Sequence, residues 1–285
     1  MRNDGSRGAV VVTGSSTGIG RASVLELDRL GFQVFAGVRR AEDAEGLRAA
    51  ASERLEPLLL DVTQPEDISS AVERVTEAIP AGLAGLVNNA GVAMAGPVEL
   101  IPIDDFRRQI EVNLIGQVAM TQAFLPALRK ARGRVVFLSS IGGLFANPYM
   151  APYHASKFGV EAVGDSLRQE LRPFGIGVSI VEPGSVATPI WEKGKGTAES
   201  IQGRLTPEER TLYGEKVARM AAIAERTGAR GVQPEKVASA IAHALTARRP
   251  RTRYLVGADA RAMALLGRIV PDRIRDRLVA RATGL

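Results

Sequence analysis

The chain has 285 residues, 45% of them hydrophobic, with no cysteine, two histidines and a formal net charge of +6. That length and apolar content suffice for one large α/β domain. The lack of cysteine excludes disulfides, thiolate nucleophiles and iron–sulfur clusters, and two histidines without a carboxylate–histidine cluster argue against a metal.

The first predicted strand, Ala9–Thr13, is a short β-branched run. It leads into Thr13-Gly14-Ser15-Ser16-Thr17-Gly18-Ile19-Gly20 and a helical pattern over Gly18–Leu30. A strand, a glycine-rich turn and a helix form a dinucleotide-binding unit, because glycines let the backbone turn tightly and approach a pyrophosphate at the helix N-terminus. The spacing is G-x-x-x-G-x-G, not the generic G-x-G-x-x-G. The same turn also reads as G-x-S-x-G, the nucleophile elbow of α/β-hydrolases. That fold needs strands and an oxyanion loop upstream and a histidine base downstream. Too few residues precede Gly14, and His154 and His243 both fall within helical patterns.

Further strands are predicted at Gln33–Val38, Glu56–Leu60, Gly85–Asn88, Arg134–Ser139, Gly177–Glu182 and Arg253–Val256. Helices are predicted at Ala41–Ser52, Pro65–Ala78, Asp104–Ala131, Pro152–Phe174, Pro207–Thr227 and Pro234–Ala247. Alternating strands and helices imply a single doubly wound Rossmann domain, with a seven-stranded parallel sheet covered on both faces. Ligands in such sheets sit beyond the carboxyl ends of the strands. The second strand ends in Val38-Arg39-Arg40, with Val38 where an acid would hold an unphosphorylated ribose. With no acid to repel a 2′-phosphate and Arg39 available to bind one, NADP(H) is favoured over NAD(H).

Ser140 precedes Tyr153-His154-Ala155-Ser156-Lys157. Tyr153 and Lys157 are an i, i+4 pair and share a helix face. A cation beside a phenol favours its ionised form, so the pair is expected to be an acid/base poised for exchange with an alcohol or carbonyl.

With these motifs the chain resembles the short-chain dehydrogenase/reductase family. The resemblance rests on the turn Thr13 to Gly20, Asn88-Asn89-Ala90-Gly91, Asn113, Ser140, Tyr153 with Lys157, and Pro183-Gly184. It implies hydride transfer between a nicotinamide and a secondary alcohol or ketone, with Asn113, Ser140, Tyr153 and Lys157 as catalytic residues. Asn113 would hold a water linking Lys157 to solvent. Cofactor contacts are implied for Gly14, Ser16, Thr17, Gly18, Ile19 and Gly20, and for Arg39. Asp61 and Val62 would border the adenine, and Asn89, Ala90 and Gly91 the adenosine ribose. Pro183, Gly184, Val186 and Thr188 would lie near the nicotinamide, beside Tyr153 and Lys157. A homodimer or homotetramer through Asp104–Ala131 and Pro152–Phe174 is a further implication.

Residues 8–189 are expected to form the nucleotide-binding and catalytic core, 190–230 a variable substrate loop and helix, and 257–285 a basic amphipathic extension. Pocket walls are expected from Met94, Leu144, Phe145, Tyr149, Met150, Ile190 and Trp191 beside Ser140, with Glu192 to Gly203 as a lid. Ser140-Ile-Gly-Gly-Leu144 and Tyr254-Leu-Val-Gly-Ala-Asp-Ala-Arg261 are similar to the retinol and 17β-hydroxysteroid dehydrogenase-like branch. A bulky apolar substrate is therefore expected, whether steroid, retinoid or lipid-like. Small sugars or carrier-bound acyl chains remain the alternative, as does a nucleotide-binding sensor or scaffold without turnover.

Arg248 to Leu285 holds ten arginines against three aspartates. Interleaved aromatics and nucleic-acid motifs are missing, so nucleic acid is not the expected partner. Met263, Leu266 and Val270, then Ile274, Leu278 and Ala282 after Pro271, form two apolar stripes that are expected to pack on their own domain. An interfacial contact with anionic lipid is the alternative. Residues 1–8 are polar and no apolar run approaches ~20 residues, so a cytoplasmic protein is expected, with peripheral membrane contact if those stripes dock on lipid.

Overall fold

The computed structural model describes residues 7–190, 196 and 200–284. Seven parallel strands, β1 Ala9–Val12, β2 Gln33–Val38, β3 Leu55–Leu59, β4 Gly85–Asn88, β5 Arg134–Leu138, β6 Gly177–Pro183 and β7 Arg253–Val256, lie in the order β3-β2-β1-β4-β5-β6-β7. Their side chains alternate between two cores. Val10 and Val12 of β1 face one, while Ala9 and Val11 face the other. Both faces are buried, which is why β1 reads as an unbroken apolar run.

Helices α1 (Gly18–Arg29), α2 (Ala41–Arg48) and a later helix, Pro234–Thr246, cover the first core. The second is covered by α3 (Pro65–Ala78) and by two helices considered next, Gly116–Ala131 and Ala151–Glu170.

The helix expected over Asp104–Ala131 is interrupted. It comprises α4 (Ile103–Ile110), a π-helical turn at Glu111–Ile115 and α5 (Gly116–Ala131). After α6 (Ala151–Glu170) come α7 (Pro207–Ala229), α8 (Pro234–Thr246), α9 (Ala258–Ile269) and α10 (Asp272–Thr283). Thr206 starts α7 with a reciprocal capping box to Glu209.

The C-terminal stripes do not pack as expected. Ala260 and Ala264 make the buried side of α9, whereas Leu266, Ile274 and Leu278 are 44%, 50% and 47% exposed. Alanines allow α9 to approach closely, and Pro271 turns α10 onto α7 so that its larger apolar residues face outward.

Candidate active site

One cleft of about 520 Å3 runs along the carboxyl ends of the strands, from the glycine turn to Tyr153. At its nucleotide end Gly14 and Gly18 have φ of +67° and +55°, a region that disfavours side chains. A Cβ on Gly20 would overlap the Gly14 carbonyl and stand 2.5 Å from Asn89 Nδ2. Thr188 crowds Gly18 from the opposite wall, with Cγ2 3.0 Å from where a Cβ would lie. Asn89 has a part that the sequence reading missed. Its Nδ2 donates to the carbonyls of Thr13 and Gly14 at 2.8 and 2.9 Å, clamping the turn from below. Thr13 Oγ1 in turn accepts from the amides of Asn89 and Ala90.

This cradle fits a dinucleotide. The first turn of α1 has no acidic residue and its cap, Thr17, makes no side-chain bond, so the helix N-terminus opens onto the cleft. Arg39, Asp61 and Val62 line the far end. The two arginines after β2 differ. Arg40 is bound to Asp43 through two contacts of 2.9 Å, whereas Arg39 is exposed and borders the cleft. Asp61 accepts from the amide and hydroxyl of Thr63, which fixes its carboxylate at the edge of β3.

The π turn explains Asn113. Gln109, Asn113 and Gln117, spaced by four, all aim at the segment after β4. Gln109 Nε2 donates to Val92 O at 2.8 Å, Gln117 Nε2 to Ala90 O at 3.3 Å, and Asn113 makes a reciprocal pair with the Val92 backbone at 2.8 and 3.0 Å. Asn113 Nδ2 also reaches Ser156 Oγ at 3.2 Å. Its amide is committed to Val92 and Ser156, and it holds the cleft wall in place. A π turn at a functional position is a recurrent device.

Ser140, Tyr153 and Lys157 come together at the end of β5 and the start of α6. Ser140 Oγ accepts from Gly142 N at 3.0 Å, donates to Pro183 O at 3.5 Å and lies close enough to the Tyr153 phenol to act on its pKa. Gly142 lacks a side chain where one would meet Tyr153 Cε1 at 3.1 Å. Lys157 is buried, donates to Leu138 O at 2.7 Å and lies 5.8 Å from the centre of the Tyr153 ring. Burial pushes the phenol's pKa up, opposed by the Ser140 hydroxyl, and burial lowers Lys157 to about 8. Burial thus works against the acidic phenol expected from the Tyr153–Lys157 spacing, and the Lys157 ammonium is turned to the Leu138 carbonyl.

His154 is spent on structure. Its Nδ1 is 2.8 Å from Gly142 O and its Nε2 accepts from Asn147 N at 2.9 Å, so it is no base.

Phe145, Tyr149, Met150 and Ile190 line the substrate end, but Met94 and Leu144 do not. Met94 yields to Ala93 and Ala95 on either side of it, and the Leu144 carbonyl lies against Gly267 of α9. Trp191 lies outside the described residues, as does most of the expected lid. Tyr149 has φ of +63°, rare for a bulky residue, and its carbonyl accepts from Gly96 N at 2.7 Å. Sequence reasoning missed walls from Val217, Met220 and Ile223 of α7, Met263 of α9 and Thr283 of α10. It also missed Asp259, which accepts from Ser185 N at 2.7 Å and pins the Pro183–Gly184 turn.

The sequence profile of the short chain dehydrogenase family matches residues 8–198. The chain belongs to that family. It is 42% identical over 278 residues to retinol dehydrogenase 5 of Mus musculus, covering 95% of this chain and 87% of the relative. It is 38% identical over 279 residues to 17-beta-hydroxysteroid dehydrogenase type 6 of Bos taurus, covering 96% and 88%. A solved short-chain dehydrogenase from Streptomyces avermitilis superposes with a TM-score of 0.78 at 31% identity, covering 98% of this chain and 96% of that one. This short-chain dehydrogenase is accordingly an oxidoreductase, and its C-terminal helices lie within the span shared with these relatives.

Proposed function

We propose that the protein is an NADPH-dependent reductase of a bulky apolar ketone or aldehyde of steroid, retinoid or lipid-like type. The observation that carries this reading is the continuity of one cleft, from an open helix N-terminus to a half-buried phenol and a serine that line the same wall.

NADPH, when bound, supplies the hydride. The glycine turn and the N-terminus of α1 would hold its pyrophosphate, and Arg39 its 2′-phosphate. Ser140 fixes the carbonyl oxygen of the substrate by a hydrogen bond. Tyr153, in the protonated form that burial favours, donates its proton to that oxygen as hydride arrives at the carbon. Lys157 stays cationic below about 8 and stabilises the phenolate so formed. Asn113 keeps the facing wall rigid through Val92.

Support for an apolar substrate comes from the walls, where Phe145, Met150, Ile190, Val217, Met220 and Met263 enclose the space beyond Tyr153. The names of the retinol and hydroxysteroid relatives agree with such a pocket. A peripheral contact with an anionic membrane surface from the cytoplasmic side is part of this reading. Leu265, Ile269, Ile274 and Leu278 are exposed on α9 and α10, beside a stripe of Arg273, Arg277 and Arg281. Among the described residues no helix is long and apolar enough to cross a membrane.

The test is NADPH oxidation against a panel of hydrophobic carbonyls by the wild type and Tyr153→Phe. The variant should bind NADPH normally and lose about 10²–10⁴-fold in turnover. Turnover near the wild-type rate would refute the part given to the phenol.

A further inference from the structure

Behind Lys157, α6 carries two more acids that the reduction chemistry does not use. Glu161 lies one turn beyond Lys157 and Asp165 one turn beyond that, so the three share a face. That face meets Glu182 near the end of β6 and Arg253 at the start of β7. Arg253 donates through Nε to Glu182 Oε1 at 2.9 Å and through Nη2 to Glu161 Oε2 at 2.9 Å. Its Nη1 and Nη2 also reach Asp165 at 3.0 and 2.9 Å, and Arg168 adds a bond to Asp165 at 2.9 Å. One guanidinium thus serves three carboxylates.

Glu161 Oε1 and Glu182 Oε2 are left buried and without a partner. The two carboxyl groups nevertheless lie side by side, because Nε and Nη2 of the same guanidinium each hold one of them at 2.9 Å. Two ionised carboxylates are acceptors only and cannot satisfy one another. Ionising both would also place like charges together in a low-dielectric interior, which raises the affinity of the pair for one proton. Burial and the Glu161 charge push Glu182 up to about 7, despite Arg253.

Glu161 of the pair lies beside the Lys157 backbone and the Ser139 that precedes Ser140. A point above Gly143, where a Cβ would stand, is 2.7 Å from Ser139 Oγ, 2.9 Å from Lys157 O and 3.0 Å from Glu161 Cγ. The charge of Glu161 also opposes the effect of burial on the Lys157 ammonium.

We propose that Glu161 and Glu182 share a single proton between Glu161 Oε1 and Glu182 Oε2, and that this pair, clamped by Arg253, sets the pH range over which Lys157 keeps its charge beside Tyr153. Both are positioning residues, since they act through Lys157. The charged groups facing the pair among the described residues are Lys157, Asp165 and Arg168 from α6 and Arg253 from β7; β5 brings the Ser139 hydroxyl. When the shared proton leaves to solvent, the pair gains a negative charge and holds the ammonium to higher pH.

The kinetic arm of the test rests on the reductase reading, and the spectroscopic arm does not. In the infrared spectrum, wild-type protein should show a protonated carboxylic acid band at about pH 6 that titrates away near pH 7, and Glu182→Gln should lack it. In NADPH-dependent reduction, the basic limb of the pH–rate profile should move about one pH unit towards acid in Glu161→Gln and Glu182→Gln, with rates at the acid end within about threefold of wild type. Purely structural acids would lower the rate equally at every pH. The proposal is overturned if the wild-type spectrum has no such band, or if both variants keep the wild-type profile. Should either variant fail to fold, the wild-type infrared titration decides alone. An enzyme without turnover but with the band would reject the reductase reading and keep the shared proton.

Discussion

Lys157→Met should make the protein more stable at neutral pH while abolishing its turnover. The ammonium is almost wholly buried, and burial lowers its pKa from 10.5 to about 8. That depression represents ~3 kcal/mol held against the folded state. Below about 8 both folded and unfolded chains carry the proton, so the penalty is complete. Between about 8 and 10.5 only the unfolded chain keeps it, and stability climbs with pH until the penalty has gone. Methionine fills much of the same volume without charge, but it forfeits the 2.7 Å bond to Leu138 O. Leaving that carbonyl unpaired costs ~1–2 kcal/mol. The net gain at pH 7 is therefore ~1–2 kcal/mol, or about 4 °C in Tm for a domain of this size. Urea unfolding at pH 7, 9 and 10.5 measures it, with the variant's lead shrinking as pH rises and reversing at the alkaline end. A variant less stable than wild type at pH 7, or a gap that does not change with pH, would refute the reasoning.

Gly20→Ala should lose ~2–4 kcal/mol of stability and most NADPH affinity, because its Cβ would overlap Gly14 O and press on Asn89 Nδ2. Thermal melts and a fluorescence titration with NADPH read both effects, and unchanged affinity would count against the cradle. Arg39→Asp should weaken NADPH binding by about 30-fold and spare NADH, as expected for the loss of a charge-assisted phosphate contact. Equal losses for both cofactors in calorimetry would move the 2′-phosphate elsewhere. Reversing Arg273, Arg277 and Arg281 to glutamate should abolish co-sedimentation with phosphatidylglycerol vesicles, and high salt should do the same to wild type. Equal binding to phosphatidylcholine vesicles would remove the arginines from that account.

The strands were readable because a parallel sheet buried on both faces leaves apolar, β-branched runs, and β2, β4 and β7 have the bounds read from sequence. The glycine turn was readable because its steric demands are local. The π turn at Glu111–Ile115 was not, since one extra residue in a helical period leaves no compositional trace. Its consequence is large, because it lines up Gln109, Asn113 and Gln117 on one segment after β4.

The same limit hid the electrostatics. Tyr153 and Lys157 look like a cation acting on a phenol when only their spacing is known. Burial, which spacing cannot show, pushes the phenol up and the ammonium down, against the shift the spacing suggests. The countercharge that keeps Lys157 cationic comes from Glu161, held by an arginine that lies far along the chain on β7. The end of the chain therefore supports the site twice, through Arg253 of β7 behind α6 and through Asp259 of the C-terminal extension on the Pro183–Gly184 turn. Replacing Asp259 by alanine should accordingly lower the steady-state reduction rate more than it lowers the melting temperature, because the turn it pins carries the Pro183 carbonyl that accepts from Ser140 Oγ at 3.5 Å.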